Sequence, residues 1–298
     1  KMKKILLINP KLEVDKEFID YPYFVNQGIY AIREIIKEKN YDVEVFDSFL
    51  FPFVEETESC FILGNDSSLK NKIDVFCPDL VIILNSPFLK LFGKEKNENI
   101  FDIVKYLRFR KSKVILSDLF ITGMHYFDYN PEEIKKRYNF DWVFKHESEL
   151  SILKLLEGSN VKNEIKFVNK LDELPFPKFS KEEVNKYNEF LLICQERGIV
   201  DNLDFKDKLI FLNTSRGCVN NCIFCPAKIF LRNYRPHSIN YIEKQLVYLK
   251  SIHGIKNVIL LDDLLNPTKE RLFEIIGLLK KHKFRCQIPN GLRLDNLD

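Results

Sequence analysis

Residues 213–228 read NTSRGCVNNCIFCPAK and place three of the chain's seven cysteines within eight residues. The spacing is Cys-x3-Cys-x2-Cys, formed by Cys218, Cys222 and Cys225. Gly217 can adopt a positive φ, Asn220 and Asn221 tolerate left-handed turns, and Pro226 stops a helix directly after the last thiol. These residues favour an irregular loop. The alternative is a helix that packs the cysteines at i, i+4 and i+7 as small apolar side chains.

Three thiols differ from the donor sets that close around a metal. Four thiolates complete a tetrahedral zinc site or fully ligate a cubane iron–sulfur cluster. Three thiolates on a 4Fe-4S cluster leave one iron open to a small molecule, which implies chemistry. The remaining cysteines stand alone in the sequence, at Cys60, Cys77, Cys194 and Cys286. An odd cysteine count in a long chain without a secretion signal also favours metal or redox chemistry over a disulfide framework.

The cysteine loop follows the first strand of a βα series. Apolar runs and helical periodicity predict a strand at 209–212, a helix at 239–251, a strand at 258–261, a helix at 269–281 and a strand at 285–288. Upstream, a similar alternation predicts strands at 4–8, 43–46, 80–84, 113–116 and 142–144, with helices that include 28–40 and 147–157. Consecutive apolar positions predict strands buried on both faces, and therefore a doubly wound parallel sheet with ligands beyond its carboxyl edge.

A proline-containing stretch separates the two series. After a predicted short strand at 165–168, the residues LDELPFPKF disfavour helix and remove backbone donors. We therefore predict a first α/β domain at 1–170, a linker and irregular connector at 171–207, and a second α/β unit at 208–298.

Composition limits the classes of protein further. The 298 residues carry 46 Lys or Arg and 43 Asp or Glu, for a net charge of +3. This balance gives no argument for a nucleic-acid partner. The apolar runs are far shorter than the roughly 20 residues of a membrane helix, and no signal-peptide cleavage site follows the N-terminus. We expect a cytoplasmic globular protein without a membrane partner.

At the cysteine loop the sequence resembles the radical S-adenosylmethionine (radical SAM) superfamily, whose signature is Cys-x3-Cys-x-aromatic-Cys. The chain supplies Cys218, Cys222, Phe224 and Cys225. The resemblance implies that the thiols hold a 4Fe-4S cluster whose open iron chelates SAM, and that an electron from the reduced cluster cleaves the sulfonium to a 5'-deoxyadenosyl radical. It also implies a partial (βα) TIM barrel, of which this chain carries the first three βα units, and an external one-electron reductant of the flavodoxin or ferredoxin type.

The resemblance further implies residues that bind SAM. Phe224 would lie against the adenine, the alternative being a hydrophobic support for the loop. Asp262 and Asp263 follow the second strand, where the family places carboxylates for the methionine amine. Adjacent acids point to opposite sides, so we expect one of them to face the cofactor, and the alternative is that Asp263 caps the next helix. Asn290 and Arg293 are candidates for ribose and carboxylate contacts, or else surface residues.

The family's Arg-x-Arg-Ser stretch is only partly matched here. Arg235 matches its first arginine, whereas His237 replaces the second one. We expect His237 to have a structural role.

The first series resembles the N-terminal cobalamin-binding-type domain of one radical SAM subfamily, which has a flavodoxin- or Rossmann-like fold. The match lies in KILLINP, GIYAIREIIKEKNYDVEVFD, PDLVIIL and LDELPFPKF. The corrinoid motif Asp-x-His-x-x-Gly is replaced by residues 47–52, DSFLFP, without a histidine. Ser117 and Asp118 stand where the family has a glycine pair beside the nucleotide tail. Cobalamin binding and a degenerate domain used for docking or substrate recognition both stay open.

Three hypotheses follow for function. The leading one is a radical SAM enzyme that abstracts hydrogen, or transfers a methyl group if cobalamin is bound, on a substrate that the sequence does not identify. A second is a non-catalytic iron–sulfur protein in which Cys286 or Cys194 completes a set of four thiols. A third is a corrinoid- or partner-binding module with a vestigial radical half. The barrel normally has more βα units, so we expect either a fragment of a longer enzyme or a reduced relative.

Overall fold

The fold is known from a computed structural model that describes residues 3–17, 26–120, 128–159, 161, 167–200, 207–225 and 233–297. The first half is built on a five-stranded parallel sheet in the order β3-β1-β6-β7-β8. In that order the strands are Asp42–Asp47, Lys4–Asn9, Leu80–Leu84, Lys113–Ser117 and Trp142–Phe144. The helices of this half are α1 (Gln27–Glu38), α2 (Leu69–Phe76), α3 (Glu98–Phe109), α4 (Pro131–Tyr138) and α5 (Glu149–Leu156).

Local sequence explains why these elements form. All five residues of β6 are buried, as expected for a strand covered on both faces. Helix α1 begins where the Asn26 side chain accepts a hydrogen bond from the Ile29 N–H. The doubly wound parallel sheet predicted from the sequence is confirmed.

A small antiparallel sheet of three strands, which lies in the first half, was not predicted from the sequence. Its order is β2 (Leu12–Asp15), β5 (Cys60–Leu63) and β4 (Val54–Glu56). In β2 buried and exposed residues alternate, which is the pattern of a strand covered on one face.

The region predicted to be an irregular connector contains a long helix. After a short 3-10 turn at Leu171–Glu173 the chain has no regular secondary structure up to Ser180, and then α6 spans Lys181–Glu196. Ser180 and Glu183 form a capping box at the start of this helix. The prediction of irregular structure is therefore wrong for α6, because a strong helix start follows directly after the prolines. The predicted strand at 165–168 falls largely outside the described residues, and Phe167 and Val168 are not in a strand.

The second half carries the second parallel sheet, called the second sheet below, with three strands in the order β13-β12-β9. They span Leu209–Leu212 (β9), Asn257–Leu260 (β12) and Arg285–Gln287 (β13). The connecting helices are α7 (Ile239–His253) and α8 (Lys269–Lys281). A short antiparallel pair lies beside them, β10 (Ser215–Arg216) with β11 (Arg235–Pro236). Each parallel strand is next to its predecessor in sequence, as at the start of a (βα) barrel, so the predicted α/β class is confirmed.

Among the described residues, no helix is long and apolar enough to cross a membrane.

Candidate active site

The cysteine loop leaves the fold at the carboxyl edge of the second sheet. Gly217, directly after β10, has φ +82°, in the left-handed region that favours glycine. The Cys225 N–H donates to the Cys222 carbonyl at 3.1 Å, and the Asn220 N–H points to Cys218 Sγ at 3.4 Å. Residues 217–225 form neither helix nor strand, so the alternative of a helix with packed cysteines is wrong. Pro226 lies outside the described residues.

Cys222 and Cys225 lie close enough to Cys218 for their charges to interact. Cys218 and Cys225 are half-buried and Cys222 is exposed. Burial raises the pKa of Cys218, and the nearby Asp263, Cys222 and Cys225 raise it further. In the described part of the chain, no three His, Cys, Asp or Glu side chains already stand together as a metal site. The donor set has the chemistry of a three-thiol site on an irregular loop and fits an iron–sulfur cluster with one open iron.

The other cysteines do not lie at this loop. Burial in α6 raises the pKa of Cys194 to about 12. Cys286 is paired with Val258 in the parallel register, four residues before Asp262. Since a parallel strand rises about 3.3 Å per residue, Cys286 lies about 13 Å below the edge that carries the loop. Neither thiol is placed to complete a set of four.

Asp262 ties the end of β12 to the turn between β9 and β10. Its side chain is buried and accepts hydrogen bonds from the Thr214 N–H at 3.0 Å, the Thr214 hydroxyl at 2.7 Å and the Ser215 hydroxyl at 2.5 Å. Burial raises the pKa of this carboxyl. The oxygens of Asp262 are engaged by the protein itself, so this residue shapes the base of the loop.

Asp263 is the acid that the structure brings to the cysteine loop. It accepts a hydrogen bond from the Gly217 N–H at 3.2 Å. Its pKa is raised to about 6, first by burial and then by the nearby Asp262 and Glu147. The alternative that Asp263 caps the following helix is wrong, because Thr268 caps α8. Asp262 binds Thr214 and Ser215, and Asp263 binds Gly217, so both acids bind the segment that leads into the loop.

Asn290 and Arg293 also lie near the end of β12. The Asn290 side-chain amide donates to the carbonyls of Asp262 at 3.0 Å and Leu261 at 3.4 Å. Arg293 forms an ion pair with Asp295 and is close enough to Cys218 for their charges to interact. Its backbone is held by the buried side chain of Asn266, a residue that the sequence analysis did not single out.

Phe224 lies at the exposed tip of the loop. Its side chain is 86% exposed, and that of the neighbouring Ile223 is 91% exposed. The contact of Phe224 with an adenine stays a prediction. A ring this exposed does not pack against the loop as a hydrophobic support.

Arg235 and His237 have partners within the protein. Arg235 pairs with Glu147 through two contacts of 2.5 and 2.8 Å. The His237 ring stacks on Tyr241 with centroids 4.0 Å apart, and its Nδ1 lies 3.1 Å from Asp172. Burial lowers the pKa of His237 to about 4. These contacts agree with a structural role for His237.

The carboxyl edge of the first sheet is filled by two buried acids. Asp47 accepts from Asn9 Nδ2 at 2.8 Å and from the Tyr30 hydroxyl at 3.1 Å. Asp118 accepts from Asn85 Nδ2 and the Tyr129 hydroxyl, each at 2.8 Å. Burial raises the pKa of each acid to about 6. The Asp118 carboxyl group, which stands where the family has a glycine pair, is thus bound by groups of the protein itself.

The loop after β3 is covered by the connector helix. The Phe49 ring stacks on Phe190 of α6, with centroids 4.6 Å apart. Residues 47–52 contain no histidine, so this loop offers no imidazole to a cobalt ion. Among the described residues, this edge does not fit a corrinoid with a lower histidine ligand from residues 47–52.

Comparisons with known proteins give relatives of low identity. No family model matches the chain. An uncharacterized methyltransferase of Pyrococcus horikoshii is 29% identical over 128 residues, which cover 42% of this chain and 25% of that protein.

Two solved structures share the fold. The cobalamin-dependent SAM radical enzyme OxsB, with aqua-cobalamin and SAM bound, has a TM-score of 0.65 at 18% identity and covers 97% of this chain. The radical SAM methyltransferase TsrM of Kitasatospora setae, with cobalamin and a [4Fe-4S] cluster bound, has a TM-score of 0.58 at 14% identity and covers 96%. This chain spans 38% of the OxsB chain and 56% of the TsrM chain. The predicted resemblance to radical SAM proteins with an N-terminal cobalamin-binding-type domain is confirmed at the level of fold.

Proposed function

We propose that the chain is a radical SAM enzyme in which Cys218, Cys222 and Cys225 hold a 4Fe-4S cluster. The observation that carries the proposal is an irregular loop on which Cys222 and Cys225 lie close enough to Cys218 for their charges to interact, beside Asp263 and far from Cys286. Likeness in fold to OxsB and TsrM supports it. The cluster, when bound, supplies the electron that cleaves the sulfonium of SAM to a 5'-deoxyadenosyl radical.

The protein's own residues would bind and orient the nucleotide. Asp263 keeps lone pairs beyond its bond from Gly217 and is our candidate acceptor for the methionine amine. Asp262 holds the turn at Thr214 and acts on the site through the backbone. Arg293 and Asn290 are candidates for the carboxylate and ribose, and the exposed Phe224 is a candidate for the adenine.

The alternative of a non-catalytic cluster protein with four thiols has less support. It needs Cys194 or Cys286 as the fourth ligand. Cys194 lies within α6, and Cys286 lies within β13, away from the carboxyl edge that carries the loop. Methyl transfer with cobalamin is a second candidate, favoured by the fold likeness to OxsB and TsrM. We assign no step to cobalamin, because residues 47–52, which stand in place of the corrinoid motif, contain no histidine.

The surroundings of the enzyme are part of the proposal. All seven cysteines are free thiols, in agreement with a reducing cytoplasm. An external flavodoxin- or ferredoxin-type protein would deliver the electron, and the substrate stays unidentified. We retain the division into 1–170, 171–207 and 208–298 as a proposal, with α6 inside its middle part.

The experiment that tests the function is product analysis under anaerobic conditions. The chain is reconstituted with iron and sulfide, reduced with dithionite and mixed with SAM. We expect 5'-deoxyadenosine from the parent chain, and none from a variant in which Cys218, Cys222 and Cys225 are all alanine. Cys77→Ala is the matched control and should leave the product unchanged, since Cys77 lies after α2 in the other half. If the parent chain binds iron but forms no 5'-deoxyadenosine, the proposal is wrong for this chain.

A further inference from the structure

Two arginines close the base of the cysteine loop. Strand β10 ends at Arg216, strand β11 begins at Arg235, and these residues are partners across the antiparallel pair. Every residue of the loop, including the three cysteines, lies between them in sequence. Where these two arginines sit therefore decides where the loop leaves and re-enters the fold.

Both arginines bind one carboxylate from the first half of the chain. Glu147 follows β8, and its Oε1 and Oε2 lie 2.5 Å from Arg235 Nη2 and 2.8 Å from Arg235 Nη1. Arg216 Nη1 lies 3.2 Å from Glu147 Oε2 and 2.9 Å from Oε1 of Glu149. The Val168 N–H donates to Glu147 at 3.2 Å, and the Val168 carbonyl accepts from Arg235 at 2.8 Å. One carboxylate thus joins both ends of the loop to the N-terminal sheet.

These charges are buried and balance one another. The side chain of Glu147 is 3% exposed and that of Glu149 is 0% exposed, while each arginine is 7% exposed. Phe120 lies under the guanidinium of Arg216 at 4.3 Å. Although burial raises the pKa of Glu147, the two arginines outweigh it and hold this pKa below its usual value. Removing one charge from such a group leaves its partners buried without compensation, which is far costlier than losing a surface pair.

The group of charges also reaches the candidate site. Gly217 follows Arg216 directly, and its N–H donates to Asp263. Glu147 and Arg235 are close enough to Asp263 for their charges to act on it. A displacement of Arg216 would therefore move Gly217, and with it the first cysteine.

We propose that Glu147 is a positioning residue, which holds both ends of the cysteine loop against the N-terminal sheet. It touches none of the three thiols, and it sets where they lie through Arg216 and Arg235. The importance of Glu147 for catalysis rests on the proposed function. Its effect on the position of the loop is a property of the metal-free chain.

Hydrogen exchange of the metal-free chain tests the proposal. Glu147→Gln keeps the side-chain volume and removes the charge. The amides to follow are those of Gly217, which donates to Asp263, and His237, which donates to the Thr214 carbonyl at 2.9 Å. We expect their exchange to accelerate at least about tenfold more than that of the β6 amides, because the loop base opens locally whereas β6 exchanges only when the whole sheet opens.

A matched control removes a different buried charge. Glu183→Gln breaks the pair between Glu183 and Arg33, which joins α6 to α1 at 2.5 Å. We expect faster exchange in the first turn of α6 and no acceleration at Gly217 or His237. If Glu147→Gln does not fold, Arg235→Lys replaces it, because lysine keeps the charge but cannot form the paired contact. The same local acceleration is expected.

A second readout uses the reconstituted chain. In Glu147→Gln we expect less iron retained after gel filtration and an altered electron paramagnetic resonance spectrum of the reduced cluster. The proposal is overturned if a folded variant exchanges at Gly217 and His237 like the parent chain, or if exchange in β6 rises by the same factor. Because exchange is followed without a cluster, this result does not depend on whether the chain cleaves SAM.

Discussion

Asp118 carries a carboxyl group that lies wholly inside the protein at the end of β7. Its Oδ1 accepts from Asn85 and Tyr129, and its Oδ2 accepts from the His146 N–H at 2.8 Å. These donors do not offset the loss of water, since burial raises the pKa from 3.8 to about 6. The folded protein therefore holds a proton on Asp118 in a pH range where the unfolded chain has released it.

This raised pKa predicts a pH dependence of stability. Between about pH 4 and pH 6 the folded state binds more protons at Asp118 than the unfolded state, so its contribution to stability falls as the pH rises. A carboxyl pKa that rises from 3.8 to about 6 corresponds to about 3 kcal/mol of stability in total. Asp118→Asn removes this contribution. Urea unfolding of both proteins from pH 4 to pH 7 should show the free energy of unfolding of the parent falling by about 2.5 kcal/mol relative to the variant.

The expected difference in the free energy of unfolding arises from ionisation of Asp118, so it must change with pH. A difference between parent and variant that is the same at every pH would have another cause. Asp118→Asn also turns an amide towards the His146 N–H, which costs stability at every pH. If the two curves run parallel from pH 4 to pH 7, Asp118 is ionised in the folded state and the account of its burial is wrong.

At the level of residues, the sequence predicted which strand end carries candidate site residues, but not which of their side chains is held by the protein itself. Asp262 and Asp263 were placed at a strand end, and alternation predicted that they diverge. Which of them turns inward depends on Thr214 and Ser215, which are 48 and 47 positions away from Asp262 and reach it only in the folded chain. Glu147 was missed for the same reason, because its partners Arg216 and Arg235 are distant in sequence.

Helix α1 approaches the end of β7 at a glycine. A Cβ built on Gly28 would lie 2.6 Å from the Phe120 carbonyl oxygen and 2.8 Å from Leu119 Cβ. Backbone atoms cannot yield as a flexible side chain does, so the glycine is required by packing.

We therefore predict opposite effects of the same substitution in two helices. Gly28→Ala should destabilise the chain by about 2 kcal/mol, although alanine is the better helix former, since α1 must move away from β7. Gly277→Ala in α8 meets nothing within 4 Å and should stabilise by about 0.5 to 1 kcal/mol. Thermal and urea unfolding of both variants measure this. If Gly28→Ala is as stable as the parent, the close contact between α1 and residues 119–120 is not real.

At the level of elements, apolar runs were the most reliable guide. The bounds of β6, β8 and β9 agree with those predicted, because burial on both faces leaves an unbroken apolar segment. The strands β2, β4 and β5 were missed, since short strands covered on one face resemble loops in sequence. Helix α6 was not predicted, although Ser180 and Glu183 form its capping box, because the prolines before it favour an extended connector.

In the molecule as a whole, one cluster of buried apolar side chains includes members of both sheets and of α6. Polar contacts join the halves as well, through Arg33 with Glu183 and through Glu147 with both arginines of the loop base. The carboxyl edge of the second sheet, with its three thiols and Asp263, is therefore held relative to the first sheet.

The proposed function requires that these three thiols hold a cluster with one open iron. Mössbauer spectroscopy of the chain reconstituted with ⁵⁷Fe, before and after addition of SAM, measures this. We expect a 4Fe-4S spectrum in which a single iron site changes on addition of SAM, in the parent chain as well as in Cys286→Ala and Cys194→Ala. Zinc in place of iron, loss of the cluster in either of those variants, or a spectrum that SAM leaves unchanged would contradict the claim.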